Sequence, residues 1–402
     1  MNIVVAQSGG PTCAINSSLL GVIRESYETD RIKTVYGSFN GIEGLISDRL
    51  IDLSRSVCTK DDFDLLKQTP SSVLGSCRFK LPDCEVDPEP YDKIIATLKK
   101  HDIGAFFYIG GNDSMDTVVK LSYCFARRGV DISVIGVPKT IDNDLFETDH
   151  TPGFGSAAKY VVSSVNEIIR DSSVYDLRSV TIVEVMGRHA GWLTASTCLL
   201  RLNGEIQPQL IYLPERSFSP EKFVDDVRRE LRKNNTVVVA VSEGIRIESA
   251  SGDSSPAARP DGFGHICLGG VGRQLEGLVR KEIGCKVRSV ELNVLQRCAS
   301  HFASKTDIFE AENAGRVAVR LMLSGETGIM VRIRRISDSP YRIAMEGVDA
   351  SAVANKDKPF PQKWINELGN NVTDDAIPYF LPLIQGELQI KTENGIPMHF
   401  KF

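Results

Sequence analysis

Within the segment Pro138-Lys139-Thr140-Ile141-Asp142-Asn143-Asp144 one cation stands beside two carboxylates. In an extended segment Asp142 and Asp144 project to the same side with a period of two, so one can accept a proton while the other helps to hold a metal ion. An exposed Lys/Asp pair would look alike in sequence, but it contributes only about 0–1 kcal/mol, a weak reason to gather three such groups. Two glycine pairs add candidate anion loops. Ser8-Gly9-Gly10-Pro11 lets a phosphate approach backbone N–H groups closely, and Gly110-Gly111-Asn112-Asp113-Ser114 joins glycine amides to a carboxylate suited to magnesium or to turning other anions away. Plainer readings exist for both: an ordinary turn between strand and helix, and a helix cap at Asp113. Neither is a standard nucleotide motif, because the first loop lacks Gly-x-Gly-x-x-Gly and no glycine in the chain is followed by lysine.

These loops need strand ends to carry them. Residues 2–6 form a short apolar run before the first glycine pair, and residues 15–28 after it read as a helix. Residues 105–109 precede the second pair, followed by Met115, Val118, Val119, Ser122 and Phe125 at helical spacing. Residues 132–137 lead into the Lys139 segment, and Ala158, Val161, Val162, Val165 and Ile169 mark the buried stripe of the next helix. Residues 180–185 pass through Met186-Gly187-Arg188 into another predicted helix, and 237–241 run into Ser242-Glu243-Gly244. Strands alternating with helices predict an α/β fold with largely parallel sheets, whose ligands bind beyond the carboxyl ends of the strands.

Composition sets the frame. A chain of 402 residues with 42% hydrophobic content exceeds one average domain, so two are expected. The net charge of −5 gives no general attraction to nucleic acid. No leader and no bilayer-length apolar stretch are recognised, which predicts a soluble, cytoplasmic protein without membrane contact. Nine cysteines without a Cys-x-x-Cys pair read as reduced, mostly buried thiols. Residues 249–264, rich in Ser, Pro, Asp and Gly, are expected to form a surface loop. Trp192 reads as a core anchor packing the two domains together.

Taken in order, the motifs resemble the phosphofructokinase family from residue 6 to about residue 297: Gly9-Gly10, Gly75-Ser76-Cys77-Arg78, Thr140-Ile141-Asp142-Asn143-Asp144, Met186-Gly187-Arg188, Glu243-Gly244 and Gln296-Arg297. The resemblance implies two Rossmann-like three-layer α/β/α domains with the site between them. Residues 1–145 with part of about 298–345 would bind the phosphoryl donor, and 146–297 with C-terminal segments the sugar phosphate. It also implies a homodimer or homotetramer, with some sugar-phosphate arginines reaching in from a neighbouring subunit.

The activity implied is Mg2+-dependent phosphoryl transfer to fructose 6-phosphate, with Asp142 as the base that takes the proton of the 1-hydroxyl. The donor would lie on Gly10, Arg78, Gly111, Asp113 and Lys139. The acceptor would lie on Thr140, Ile141, Asp142, Met186, Gly187, Arg188, Glu243, Arg288, Val294 and Arg297. Magnesium would take Asn112, Asp113 and Asp144. ATP-using relatives usually carry glycine where this chain has Asp113 and Lys139. A carboxylate at 113 obstructs the α-phosphate of a nucleotide and Lys139 can stabilise a departing phosphate, which is the pattern of pyrophosphate as donor. Two departures stand out: Asn112 replaces the usual magnesium-binding aspartate, and Val294 replaces a His or Tyr. The alternatives are an ATP-dependent sugar-phosphate kinase and a non-catalytic sugar-phosphate-binding subunit.

Overall fold

A computed structural model describes residues 1–204, 207–247 and 270–402. Its principal strands are β1 (Asn2–Gln7), β2 (Val35–Ser38), β3 (Leu50–Asp52), β4 (Ile103–Gly110), β5 (Ser133–Pro138), β6 (Ser179–Val185), β7 (Leu210–Tyr212), β8 (Thr236–Ser242), β9 (Lys286–Glu291), β10 (Ile329–Asp338) and β11 (Tyr341–Asp349). Seven form one sheet in the order β11-β10-β5-β4-β1-β2-β3, and four form a second in the order β7-β8-β6-β9. The second sheet is wholly parallel. In the first, β10, β5, β4, β1 and β2 are parallel, and β3 and β11 join antiparallel at its two edges.

Alternation along the strands builds the layers. Ile3 and Val5 of β1 face one core with the helix Ile15–Tyr27, while Val4 and Ala6 face another with the helix Asn112–Arg127. In the second sheet Val183 and Val185 pack beneath the helix Phe154–Ser172, whereas Val180 and Ile182 meet the helices Pro220–Glu230 and Val271–Glu282. Each sheet is therefore apolar on both faces and covered on both, the condition for parallel strands. The chain forms two α/β domains of this kind.

The predicted stripe Ala158, Val161, Val162, Val165 and Ile169 is buried, and so are Met115, Val118 and Phe125, whereas Val119 and Ser122 lie at the margin. The helix expected after Met186-Gly187-Arg188 is one short turn, Trp192–Ala195, continued as the 3-10 segment Ser196–Asn203. Strands β2, β3, β7, β9, β10 and β11 escape the apolar-run criterion because they are short or charged. β9, for example, alternates exposed Lys286 with Val287 and Arg288 at the open edge of its sheet.

Four of the eight described cysteines are buried (Cys13, Cys77, Cys124, Cys198) and Cys58 is exposed, so the expectation of mostly buried thiols is too strong, although all eight are free. Among the described residues no helix is long and apolar enough to cross a membrane. The surface loop expected at 249–264 lies outside the described residues.

Candidate active site

Because β5, β4 and β1 are neighbours in the first sheet, the loops leaving their carboxyl ends meet. Ser8 N–H donates to Ile109 O at 2.9 Å, Lys139 N–H to Gly110 O at 3.0 Å and Gly9 N–H to Cys77 O at 3.2 Å, while Ser76 Oγ donates to Gly9 O at 2.6 Å. Gly9 has φ +73°, and a Cβ there would stand 3.2 Å from Lys139 Nζ. Glycine is thus favoured by the left-handed backbone, and its missing side chain leaves the ammonium room to approach. Lys139 is 2% exposed and donates Nζ to Gly10 O at 2.7 Å. The two motifs form one cationic anion cradle.

The opposite wall comes from the second sheet. Gly187, at φ +137°, follows β6 and donates its N–H to Glu243 Oε1 at 3.3 Å at the end of β8. Ser242 Oγ donates to Gly187 O at 2.6 Å, and Gln296 Oε1 accepts the N–H of Met186 at 3.2 Å. Arg297, on the short helix Leu295–Cys298, reaches back across the cleft, since a Cβ on Gly10 would lie 3.6 Å from its guanidinium.

Between these walls lies a cleft of about 400 Å³ lined by Gly10, Arg78, Gly111, Asn112, Asp113, Lys139, Thr140, Ile141, Asp142, Asp144, Met186, Arg188, Glu243 and Arg297. Three residues expected at the site do not line it. Gly187 lies just behind and acts through its N–H on Glu243. Arg288 points along the outer edge of the second sheet, 3.5 Å from Asp171, and Val294 is 47% exposed. The reason is topological: β9 is an edge strand, and after the buried Leu292 the exposed residues Asn293 and Val294 lead into the helix carrying Arg297.

Asp142 and Asp144 both face the cleft, but not through an extended backbone. Asn143 between them is left-handed at φ +56°, so a tight turn presents the two carboxylates. His189 and Asn355 and Asp357 of the C-terminal segment also line the cleft. His189 follows the Met186-Gly187-Arg188 motif, but a lone histidine has no defined role in sequence. No sequence signal marks Asn355 or Asp357, which are brought in by the pairing of Leu145 with Asp357.

Burial governs the charges. It raises the Asp142 carboxyl above the ordinary range, against the opposing pull of Arg188, Lys139, His189 and Arg297. Asp144 is pushed up to about 8 by burial, then by Asp142 and Asp357. Burial lowers Lys139 to about 8, with Asp142 and Asp144 opposing it. Glu243 rises to about 7, again chiefly by burial, against the N–H of Gly187. Burial thus works against the charged form of each of these groups, and the opposite charges facing one another in the cleft work for it.

Asn112 donates Nδ2 to Asp357 Oδ1 at 2.9 Å, which leaves Asn112 Oδ1 buried with no hydrogen-bond partner. An orphaned carbonyl oxygen beside Asp113 and Asp144 fits a hard cation. Among the described residues no three His, Cys, Asp or Glu side chains form a metal-holding group. Asn112 Oδ1, Asp113 and Asp144 could therefore hold such a cation only with further oxygen ligands from outside the chain.

The fold and the cleft define an α/β protein built to hold an anion, with a glycine-rich cationic cradle facing a carboxylate-rich turn. Residues 2–322 match the family model Phosphofructokinase, and the chain belongs to that family. It is 41% identical over 401 residues to the "Pyrophosphate--fructose 6-phosphate 1-phosphotransferase" of Xanthomonas campestris, covering 99% of this chain and 95% of the relative. It is 40% identical over 399 residues to the protein of that name from Halomonas elongata, covering 98% and 94%. The crystal structure of a pyrophosphate-dependent phosphofructokinase from Nitrosospira multiformis superposes with a TM-score of 0.89 at 36% identity, covering 98% of this chain and 95% of the other.

Proposed function

We propose that the chain transfers a phosphoryl group reversibly from pyrophosphate to the 1-hydroxyl of fructose 6-phosphate, giving fructose 1,6-bisphosphate and phosphate. The observation that carries this is the buried Lys139 ammonium, seated between the Gly9-Gly10 loop and the Asp142/Asp144 turn in one cleft. Such a cation is suited to a small, highly charged donor that has no nucleoside to supply binding energy. The relatives named above, alike over nearly their whole length, support the same donor and acceptor.

In this mechanism Asp142 accepts the proton of the sugar hydroxyl as its oxygen bonds to phosphorus and the bridging P–O bond breaks. Lys139, Arg78 and the Gly10 and Gly111 amides neutralise charge on the leaving phosphate. Arg188 and Arg297 hold the 6-phosphate, Glu243 and the backbone of Met186 and Gly187 hold sugar hydroxyls, and Thr140 and Ile141 floor the acceptor side. Asn112 Oδ1, Asp113 and Asp144 would hold a magnesium ion, which would supply further neutralisation of phosphate charge. Arg288 reaches a sugar phosphate only from a neighbouring subunit in a homodimer or homotetramer, and Val294 contributes no polar contact. The enzyme is taken to work in the cytoplasm.

Formation of fructose 1,6-bisphosphate from fructose 6-phosphate and magnesium, with pyrophosphate or ATP as sole donor, tests this directly. Turnover with pyrophosphate alone is expected. Turnover with ATP alone would overturn the roles of Asp113 and Lys139, and turnover with neither would point to another acceptor or to a binding subunit.

A further inference from the structure

Residues beyond 322 lie outside the family match, yet they grip the turn that carries the two aspartates. The grip has two points. Lys358 N–H donates to Asp144 O at 2.7 Å, and Asn143, fully buried at φ +56°, donates Nδ2 to the hydroxyl of Tyr379 at 2.7 Å. Tyr379 Oη passes its own proton to Asp149 O at 2.7 Å. On the other side of the Asn143 amide, Oδ1 accepts the N–H of Thr151 at 3.1 Å. A left-handed asparagine is strained unless its surroundings hold it, and here both ends of its amide are held by buried groups.

Tyr379 is itself immobilised. The Arg335 guanidinium lies 4.5 Å over its ring, and the rings of Trp192 and Trp364 stand 5.1 and 5.5 Å away. Its hydroxyl is thus a fixed post, placed by aromatic packing, to which the turn is tied. Without that hydroxyl the Asn143 Nδ2 donors are buried without a partner, and the turn relaxes to satisfy them. Asp142 and Asp144 move when it does, being the residues on either side.

We propose that Tyr379 is a positioning residue for phosphoryl transfer: its hydroxyl, bridging the Asn143 amide and the Asp149 carbonyl, holds the turn that aims Asp142 and Asp144 into the cleft. The proposal rests on the assignment of Asp142 as base. It predicts that ligand binding, which draws chiefly on Arg78, Arg188, Arg297, Glu243 and glycine amides held by other elements, is largely kept when the hydroxyl is lost, while alignment for the chemical step is not. A misplacement of about 1 Å can cost a hundredfold in rate.

The test is steady-state kinetics with pyrophosphate and fructose 6-phosphate on full-length Tyr379→Phe, Asn143→Gly, the double variant and Asp142→Asn, with thermal unfolding of each. Tyr379→Phe keeps the ring and its packing, and Asn143→Gly keeps the left-handed backbone while removing the same hydrogen bond from the other end, together with the bond accepted from Thr151 N–H. The expected result is a fall in kcat of roughly 10- to 100-fold in Tyr379→Phe with KM for both substrates within about twofold. The double variant should be slower than the wild type by clearly less than the product of the two single losses, because the Asn143–Tyr379 contact is common to both changes. A Tyr379→Phe enzyme with near-normal kcat, a loss that falls on KM instead, or losses that multiply in the double variant would overturn the proposal. Should Tyr379→Phe fail to fold, a near-normal kcat in Asn143→Gly overturns it equally. If Asp142→Asn turns over near normally, the base assignment fails, an outcome separate from the behaviour of Tyr379.

Discussion

The wall of the cleft carried by the first sheet and the wall carried by the second hold their groups differently. On the first, three loops from adjacent parallel strands are cross-tied by backbone hydrogen bonds, and Lys139 is fixed on Gly10 O. On the second, a backbone bond from Glu243 N–H to Val185 O at 2.9 Å is joined by ties through side chains: Glu243 holds the N–H of Gly187, Gln296 that of Met186, and Ser242 the carbonyl of Gly187. Beyond them lies an open edge, β9, whose Arg288 and adjoining Val294 face away. The contrast teaches that the first wall is the more rigidly preorganised for charge and small anions, while the second, with more ties through side chains, has more room to adapt to what it holds. Changes on the first wall should therefore act on kcat, and changes on the second on KM for the sugar phosphate.

The largest break is Asp142→Asn, expected to lower kcat by about 10²–10⁴ with ligand binding retained, because the amide cannot take the proton. Calorimetric titration with fructose 6-phosphate beside turnover checks both halves. Next comes Lys139→Gly with Asp113→Gly: pyrophosphate turnover should fall by about 10²–10³ while ATP turnover appears or rises. An unchanged donor preference would remove the reading of these two positions.

On the second wall, Glu243→Gln should raise KM for fructose 6-phosphate about tenfold and leave kcat within a few-fold, since only one partner of its hydrogen bonds changes. Arg288→Ala separates the walls further. If the arginine acts only within its own chain, its exposed contact with Asp171 is worth about 0–1 kcal/mol and kinetics should not change. A several-fold rise in sugar KM would mark it as a ligand supplied across a subunit interface.

The smallest effect concerns His150, buried with Nδ1 2.8 Å from Asp149 and Nε2 2.6 Å from Glu310. Burial alone would pull the imidazolium down, but Glu310 and Asp149 outweigh it and lift the group to about 9. Since the folded value exceeds the unfolded one, the stabilisation is complete below about pH 6.5 and lost as pH rises through about 9, at most about 3 kcal/mol. Unfolding midpoints measured from pH 6 to 9.5 should fall by a few degrees more in the parent than in His150→Gln. Parallel curves would refute it.

The first wall was largely legible in sequence because each of its loops follows an apolar strand and carries its chemistry within a few consecutive residues. Gly9-Gly10, Gly111-Asn112-Asp113, Lys139 to Asp142 and Asp144 all line one cleft. The geometry of the turn was not legible: alternation assumes extended backbone, and Asn143 adopts a left-handed conformation that tertiary partners hold. The second wall was half legible. Arg188, Glu243 and Arg297 stand at strand ends or just after them, but Arg288 and Val294 depend on which way an edge strand and its exit loop face, and residue type does not encode that. Asp357 and Tyr379 had no sequence signal, because short 3-10 turns and irregular segments carry no periodicity.

The aromatic cluster around Tyr379 has an optical consequence. The chain has two tryptophans, and both stand in that cluster, Trp192 and Trp364 with ring centroids 6.3 Å apart. The Lys358 ammonium lies 4.9 Å over the Trp192 ring, and the indole N–H donates to Lys358 O at 3.0 Å. Intrinsic emission of the whole protein is therefore a local report on whether the C-terminal segment is seated. A fluorescence titration with either substrate reads the seating of that segment without an attached dye.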